Sequence, residues 1–390
     1  MKKFLLIFSI LFFAVSVSAA DLKLSGSYAC NGINRDLSAL YGAGYEANEY
    51  YETDFDLVGK VVINDRVSVV TTMEMADNTL GKTTTQNIEV KNSYLAVKAL
   101  DGLTLSFGKM LSKGWGVGFA NTDSNPDRIK AIYKTPVGVL VAILQKSSEK
   151  SYDTTDTLDA TKGNGNASQP AGLEEQDTDV MYLGFITKLG PVTFKPLYAS
   201  VTAGTALSAT VIILSFEGNL GLLGFEAEYN NKAYAYSSDM QALGAADYAI
   251  SGMYGNVWAN LAPLKVGFIY GDGSYDADTG KKYGMGENWN FGALAADFGE
   301  RATGTAQVSG YNIMNLYAAF AVSEKVSLNA CYAMGADNNP GNDNAHSEMN
   351  FSVGYGLTDS VTLSGVYATG SFDLGDGAKS VSKMAWGVKA

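Results

Sequence analysis

After residue 20 the chain repeats one pattern, short runs of alternating apolar and polar residues separated by Gly-, Asp-, Asn- and Ser-rich breaks. Phe55, Leu57, Gly59, Val61 and Ile63 fall on one face of a strand, with Asp54, Asp56, Val58 and Lys60 on the other. The turn Asn64-Asp65-Arg66 leads into the next run, Val67 to Met75. Late in the chain Met349, Phe351, Val353, Tyr355 and Leu357 alternate with Asn350, Ser352 and Gly354 in the same way. No 3.6-residue stripe of any length follows residue 20, so the pattern predicts strands throughout. They fall at 22–30, 50–63, 66–75, 87–99, 103–110, 128–134, 137–146, 178–189, 191–203, 208–218, 222–234, 247–261, 263–273, 310–321, 325–335, 346–357, 360–372 and 379–390.

The breaks alternate in length. Short turns occur at Asn64–Arg66, Leu100–Gly102, Thr135–Pro136, Leu189–Pro191, Asn219–Gly221, Ala262–Pro263, Ser323–Lys325 and Thr358–Ser360. Long polar segments occupy 31–49, 111–127, 147–177, 274–309 and 336–345. Short turns at one end and long loops at the other describe an all-β, antiparallel up-and-down barrel that crosses a membrane, greasy on one strand face and wet on the other. The count is 18 strands, or 16 if one hairpin is dropped. A mean hydropathy of −0.00 suits such a two-faced sheet. Tyr28, Tyr50, Tyr51, Tyr229, Tyr234, Trp258, Tyr270, Tyr332 and Trp386 lie near predicted strand ends. Aromatic girdles at the headgroup level account for that placement, and so does ordinary β-propensity.

The first 20 residues read as a cleavable export signal. Lys2 and Lys3 precede the apolar run Phe4 to Val17, and small residues at Ser18, Ala19 and Ala20 offer the cleavage site. Residues 21–390 then form one barrel domain, with no composition shift to divide it. Without Lys2 and Lys3, 26 basic residues (28 less two) stand against 40 acidic ones, a formal charge of −14. That balance argues against nucleic acid as a partner. Outer-membrane lipid and lipopolysaccharide are the expected surroundings.

Three stretches carry a family resemblance. The run KNSYLAVKALDGLTLSFGK (91–109) resembles the porin hairpin in which one Gly-containing strand turns into another ending Gly-Arg. DRIKAIYKTPVGVLVAILQ (127–145) resembles the porin strand that ends Tyr-x-Ser-Pro. INDRVSVVTTMEM (63–75) is similar to the porin hairpin with an Asn-Asp turn and a lumenal Glu, here Glu74. The chain as a whole resembles the general, homotrimeric outer-membrane porins of Gram-negative cells.

The resemblance implies a homotrimer of water-filled channels, each narrowed by a third external loop folded into the lumen. Ions and small hydrophilic solutes would cross passively, without enzyme chemistry, cofactor or metal. The third loop falls at 111–127. Gly114, Gly116 and Gly118 permit the bends a confined loop needs. Trp115, Asn121, Asp123, Asn125 and Asp127 are its candidate pore-lining residues. On the facing wall Lys91 keeps a basic position of the family, whereas Asp54 and Val58 replace two others. Lys60, Lys109, Arg128 and Lys130 restore part of the positive field, with Lys109 and Arg128 at strand ends, and Glu74 opposes it. Together with the net charge, these departures favour cations over anions. The chain also ends Trp386-Gly387-Val388-Lys389-Ala390, placing its last aromatic four residues earlier than barrels of this kind usually do.

Other features point to weaker alternatives. Cys30 falls on the predicted outer face and Cys331 on the inner one, which argues against a disulfide. His346, the single histidine, is read as an exposed polar residue, since no nucleophile motif accompanies it. Asp276, Asp278 and Glu287 match positions 1, 3 and 12 of a calcium loop, but Lys281 replaces its Gly. Two rival functions stay open. An 18-strand channel selective for one substrate class, such as a sugar, would need a track of lumenal aromatics, hinted at by Trp115 and Phe119. A non-conducting adhesin or surface anchor would use the long loops 147–177 and 274–309.

Overall fold

The computed structural model describes residues 21–36, 48–79, 88–112, 115–119, 124–148, 177–285, 309–341, 344–373 and 379–389. The predicted export signal lies outside them. Eighteen strands follow one another: β1 (Asp21–Asp36), β2 (Asn48–Asn64), β3 (Val67–Thr79), β4 (Glu89–Leu100), β5 (Leu103–Lys109), β6 (Asp127–Thr135), β7 (Gly138–Ser148), β8 (Thr178–Leu189) and β9 (Val192–Ala203). The second half comprises β10 (Leu207–Leu220), β11 (Leu223–Tyr236), β12 (Tyr248–Leu261), β13 (Leu264–Gly273), β14 (Tyr311–Ala321), β15 (Val326–Asp337), β16 (Ala345–Gly356), β17 (Thr362–Asp373) and β18 (Lys379–Lys389). One short helix, α1 (Ser238–Ala242), sits between β11 and β12, capped by the Ser237 hydroxyl.

Every strand pairs antiparallel with its sequence neighbours, and β1 closes the sheet on β18 from Ala29 opposite Lys389 to Asp36 opposite Ser382. Closure matters because an open edge in hydrocarbon would cost several kcal/mol per unpaired backbone group. The count is therefore 18, and the 16-strand alternative falls away. The strand predicted to end at residue 30 continues to Asp36, and this extension supplies most of the pairing with β18, a pairing that begins at Ala29.

Alternation sets the two faces. Leu24, Leu95, Ile129, Leu183, Ile212, Met253, Leu316, Phe351 and Met384 stand exposed on the outside. Ser106, Gln145, Ser215, Glu228, Asn256, Asn315 and Asn350 occupy the opposite parity and are buried inside. The short turns form as their residues dictate. Asn64 Oδ1, for example, accepts the backbone N–H groups of Arg66 and Val67 at 2.9 Å each. Cys30 faces outward on β1 and Cys331 inward on β15, each a free thiol.

The register divides the aromatic set. Tyr28, Tyr51, Tyr229, Tyr270, Tyr332 and Trp386 take the outer parity, whereas Tyr50, Tyr234 and Trp258 point into the barrel, so the girdle assignment does not hold for those three. Trp386 lies across Gly32 of β1 and meets Tyr51 edge-on at 5.6 Å. The early final aromatic thus packs over the seam where the barrel closes. His346 is also unlike its sequence reading: it is 4% exposed and stacks on Phe372 at 5.7 Å inside the lumen.

Candidate channel constriction

The third loop leaves β5 and returns to β6 through a paired neck. Met110 N–H donates to the Pro126 carbonyl (3.1 Å) and Ser112 N–H to the Ser124 carbonyl (2.7 Å). Leu111 N–H donates to Asn92 Oδ1. Beyond the neck, residues 115–119 cross the lumen to the far wall. Gly116 and Gly118 take φ of +68° and +90°, a region costly for other residues.

The docking is specific. Trp115 Nε1 donates to the Lys195 carbonyl of β9 at 2.9 Å, and its ring lies against Gly184 of β8, where any Cβ would come within 2.3 Å. Val117 N–H donates to Glu228 Oε2 of β11 at 2.8 Å. Glu228 is 2% exposed, and its other oxygen accepts from Asn230 Nδ2 at 3.0 Å. Lys195 Nζ, in an ion pair with Glu217 at 2.7 Å, lies 3.4 Å from the Gly116 carbonyl. A buried carboxylate that accepts two N–H groups is a strong anchor, because charge-assisted bonds exceed neutral ones.

Phe119 completes the crossing. It stacks between Tyr254 of β12 (5.7 Å) and Tyr283 (5.8 Å), the latter from the segment that follows β13. Tyr283 rests on Gly252, where a Cβ would meet the ring at 2.3 Å. Burial, reinforced by the Glu228 charge, pushes the Tyr283 phenol up, so it stays neutral. Phe119, Tyr283, Met285, Ile250, Ile313, Phe372 and Val381 form a closed apolar cluster across this side of the lumen. Each fully buried aromatic here contributes on the order of 1.5–3 kcal/mol.

The wall of β1–β4 is different. Asp54, Asp56 and Glu74 bring carboxylate oxygens within 4.8 Å of one another. Two bulges flank them, one between Phe55 and Asp56 and one between Thr72 and Met73, and the second leaves Lys91 outside the ladder. A bulge re-aims a side chain. Lys91 Nζ accordingly lies 2.9 Å from Glu74 and 3.9 Å from Glu89. Lys60 is exposed on the same lumenal face. Two strands further on, Arg128 and Lys130 face inward from β6. Arg128 donates through Nε to Gln145 Oε1 (2.8 Å) and through Nη2 to Ser112 Oγ (2.9 Å), bracing the loop neck. An acidic flank and a basic flank therefore border the same space.

The remaining predicted residues separate. Trp115 anchors the loop instead of projecting into the water path, and Asn125 lies half-buried in the returning neck. Asp127 takes the outer parity of β6, opposite Lys109 and Lys146, because the strand starts one residue before the inward Arg128. Asn121 and Asp123 lie outside the described residues, as does Glu287 of the calcium-like spacing. Asp276 Oδ1 caps a turn by accepting the backbone N–H and hydroxyl of Thr279 at 2.9 Å each, which lowers its pKa. Sequence reasoning missed Glu228, Lys195 and Tyr283. The available signal was a glycine within a strand, Gly184 in β8 and Gly252 in β12, which marks a close approach.

The sequence matches no family model and no curated protein. Several solved barrels share the fold. OccAB3 of Acinetobacter baumannii superposes with a TM-score of 0.61 at 12% identity, covering 95% of this chain and 98% of that one. OccK9 (OpdG) of Pseudomonas aeruginosa gives 0.63 at 12% identity, with 95% and 98% covered. The outer membrane protein OpdK of the same organism gives 0.62 at 10% identity, again over 95% and 98%, and has also been solved with vanillate. Motifs suggested the general homotrimeric porins; the fold likeness is instead to the Occ and Opd barrels. At these identities the likeness concerns architecture.

Proposed function

We propose that the protein is an outer-membrane channel that passes small hydrophilic solutes, discriminates among them and prefers cations. The observation that carries this reading is the third loop, which crosses a closed 18-strand barrel and docks on its far wall through Trp115, Val117 and Phe119. Barrels of this strand number leave an aqueous bore when nothing fills them. Here the loop and the Tyr283 segment fill one side, so the remaining passage runs along β1–β4.

A narrow passage favours substrate selectivity over general diffusion, since every solute must contact its walls. OpdK of Pseudomonas aeruginosa, which shares the fold, has been solved with vanillate, and that complex supports extending small organic solutes to this chain. For this chain the inward acidic side chains Asp21, Glu52, Asp54, Asp56, Glu74 and Glu89 outweigh Lys23, Lys60, Lys91 and Lys98 along the proposed path, which supports cations. The homotrimer expected from the motifs rests on that resemblance alone.

Recording from purified protein in planar bilayers tests the proposal. Small ohmic steps, a cation-selective reversal potential in a KCl gradient and saturable block by a permeating solute are expected. Large steps without block would indicate a general pore, and absence of conductance would indicate an anchor.

A further inference from the structure

Residues 274–285 and 309–310 form an inward flap. Its backbone is pinned by Ser274 N–H to the Ser251 carbonyl (2.8 Å), Tyr283 N–H to the Ser274 carbonyl (2.9 Å) and Gly310 N–H to the Tyr283 carbonyl (2.9 Å). Two adjacent side chains leave it in different directions. Tyr283 enters the lumen, lies on Gly252 and stacks on Phe119. Lys282 reaches the end of β15, where its Nζ lies 3.1 and 3.4 Å from the two oxygens of Asp337.

Asp337 is 1% exposed at its side chain, while Lys282 is 24% exposed. Asp337 also accepts the Asn339 N–H at 2.9 Å. Next to it, Asn338 N–H donates to the Gly310 carbonyl (2.7 Å), and Asn338 Nδ2 donates to Asp272 Oδ1 (2.9 Å) and the Gly273 carbonyl (2.8 Å). The flap is therefore tied to the β15 end by one ion pair and by the Asn338 N–H on the Gly310 carbonyl, while the Asn338 side chain fastens that end to β13. Only the ion pair involves a side chain adjoining the tyrosine.

We propose that Lys282 and Asp337 are a positioning pair that sets the bore of the channel by holding Tyr283 in the lumen. The inference rests on the channel reading and extends it from the third loop to a second, separately fastened element. Removing Lys282 leaves a deeply buried carboxylate without this cation, which is costly in place and is relieved when the flap swings out. Tyr283 then leaves Gly252, and Phe119 loses one of its two stacking partners.

The test uses the full chain with Cys30 and Cys331 changed to Ser. Lys282→Met and Asp337→Asn are compared with the exchanged pair Lys282→Asp/Asp337→Lys and with Tyr283→Ala. Single-channel conductance is one readout. The other is labelling of Ile250→Cys, a lumenal β12 position 7% exposed under the flap, by a membrane-impermeant thiol reagent. Each single variant is expected to raise conductance about twofold, with flicker between two levels, and to expose Ile250→Cys. The exchanged pair should return both readouts toward the parent, and Tyr283→Ala should hold the larger level steadily. Native labelling in both single variants while Tyr283→Ala labels strongly would overturn the proposal. Labelling needs no current, so a silent parent barrel would refute the channel reading and still decide the role of the pair.

Discussion

The two sides of this barrel obey the same alternation and end in opposite states. Along β8–β17 small residues such as Gly184, Ala199, Ala209, Ser215, Gly252 and Ala368 recur at inward positions, beside the charged Lys195, Glu217, Glu228, Lys232 and Glu348. Inserted side chains from two loops fill the space above them. Along β1–β4 the inward positions include Lys23, Asp54, Asp56, Lys60, Glu74, Glu89, Asn92 and Lys98, and the described third-loop neck touches this wall at Asn92, whose Oδ1 accepts the Leu111 N–H. Residue size explains the first outcome, because at Gly184 and Gly252 the absence of a Cβ lets the Trp115 indole and the Tyr283 phenol ring lie against the backbone. Desolvation explains the second, since covering an ionised group is costly unless, like Glu228 with the Val117 and Asn230 donors, it receives hydrogen bonds from its surroundings. A lumen is thus partitioned by side-chain volume and charge, although the strand pattern is uniform.

The contrast is broken most severely by neutralising the open wall. The triple variant Asp54→Asn/Asp56→Asn/Glu74→Gln removes three of the wall's carboxylates and leaves Lys91 beside Glu89. The cation-to-anion permeability ratio, read from the reversal potential, should fall by about tenfold. An unchanged ratio would mean that ions do not pass this wall. Next comes Glu228→Ala on the sealed side, which strips the partner from the Val117 N–H and from Asn230. An unsatisfied buried group costs about 1–3 kcal/mol, so the third loop should undock, with larger and noisier conductance steps.

Smaller effects sharpen the picture. Lys130→Ala removes an inward charge from the basic flank and should raise cation preference modestly; a drop would reverse the assignment of that flank. Asp127→Asn changes an outward group beyond the lumen, and its permeability ratio should match the parent. A clear shift there would show that the start of β6 has been placed on the wrong face.

Much of this was legible in the chain itself. Period-two alternation located eighteen strands, and the charge row Asp54, Asp56, Lys60 was assigned to the inner face from pattern alone. Gly116 and Gly118 correctly marked a loop that bends inward, because positive φ is a local property of glycine. What escaped were pairings between distant positions. Nothing in the spacing near Glu228 announces that its carboxylate receives Val117, 111 residues earlier. The bulges beside Glu74 also escaped, since one extra residue per strand hardly disturbs an alternating pattern yet redirects Lys91. Asp127 failed for a related reason: the first residue of a strand has its facing decided by register, which a loop boundary uncertain by one residue cannot fix.

The partition of the lumen is tested most directly by comparing two introduced thiols in the barrel lacking Cys30 and Cys331. Ser27→Cys lies on the open wall of β1, exposed beside Asp56, and Ser215→Cys lies on β10 beneath Gly116 at 0% exposure. A membrane-impermeant thiol reagent added to the reconstituted protein should label the first rapidly and leave the second untouched. Equal labelling of both would contradict the division into an open and a sealed side.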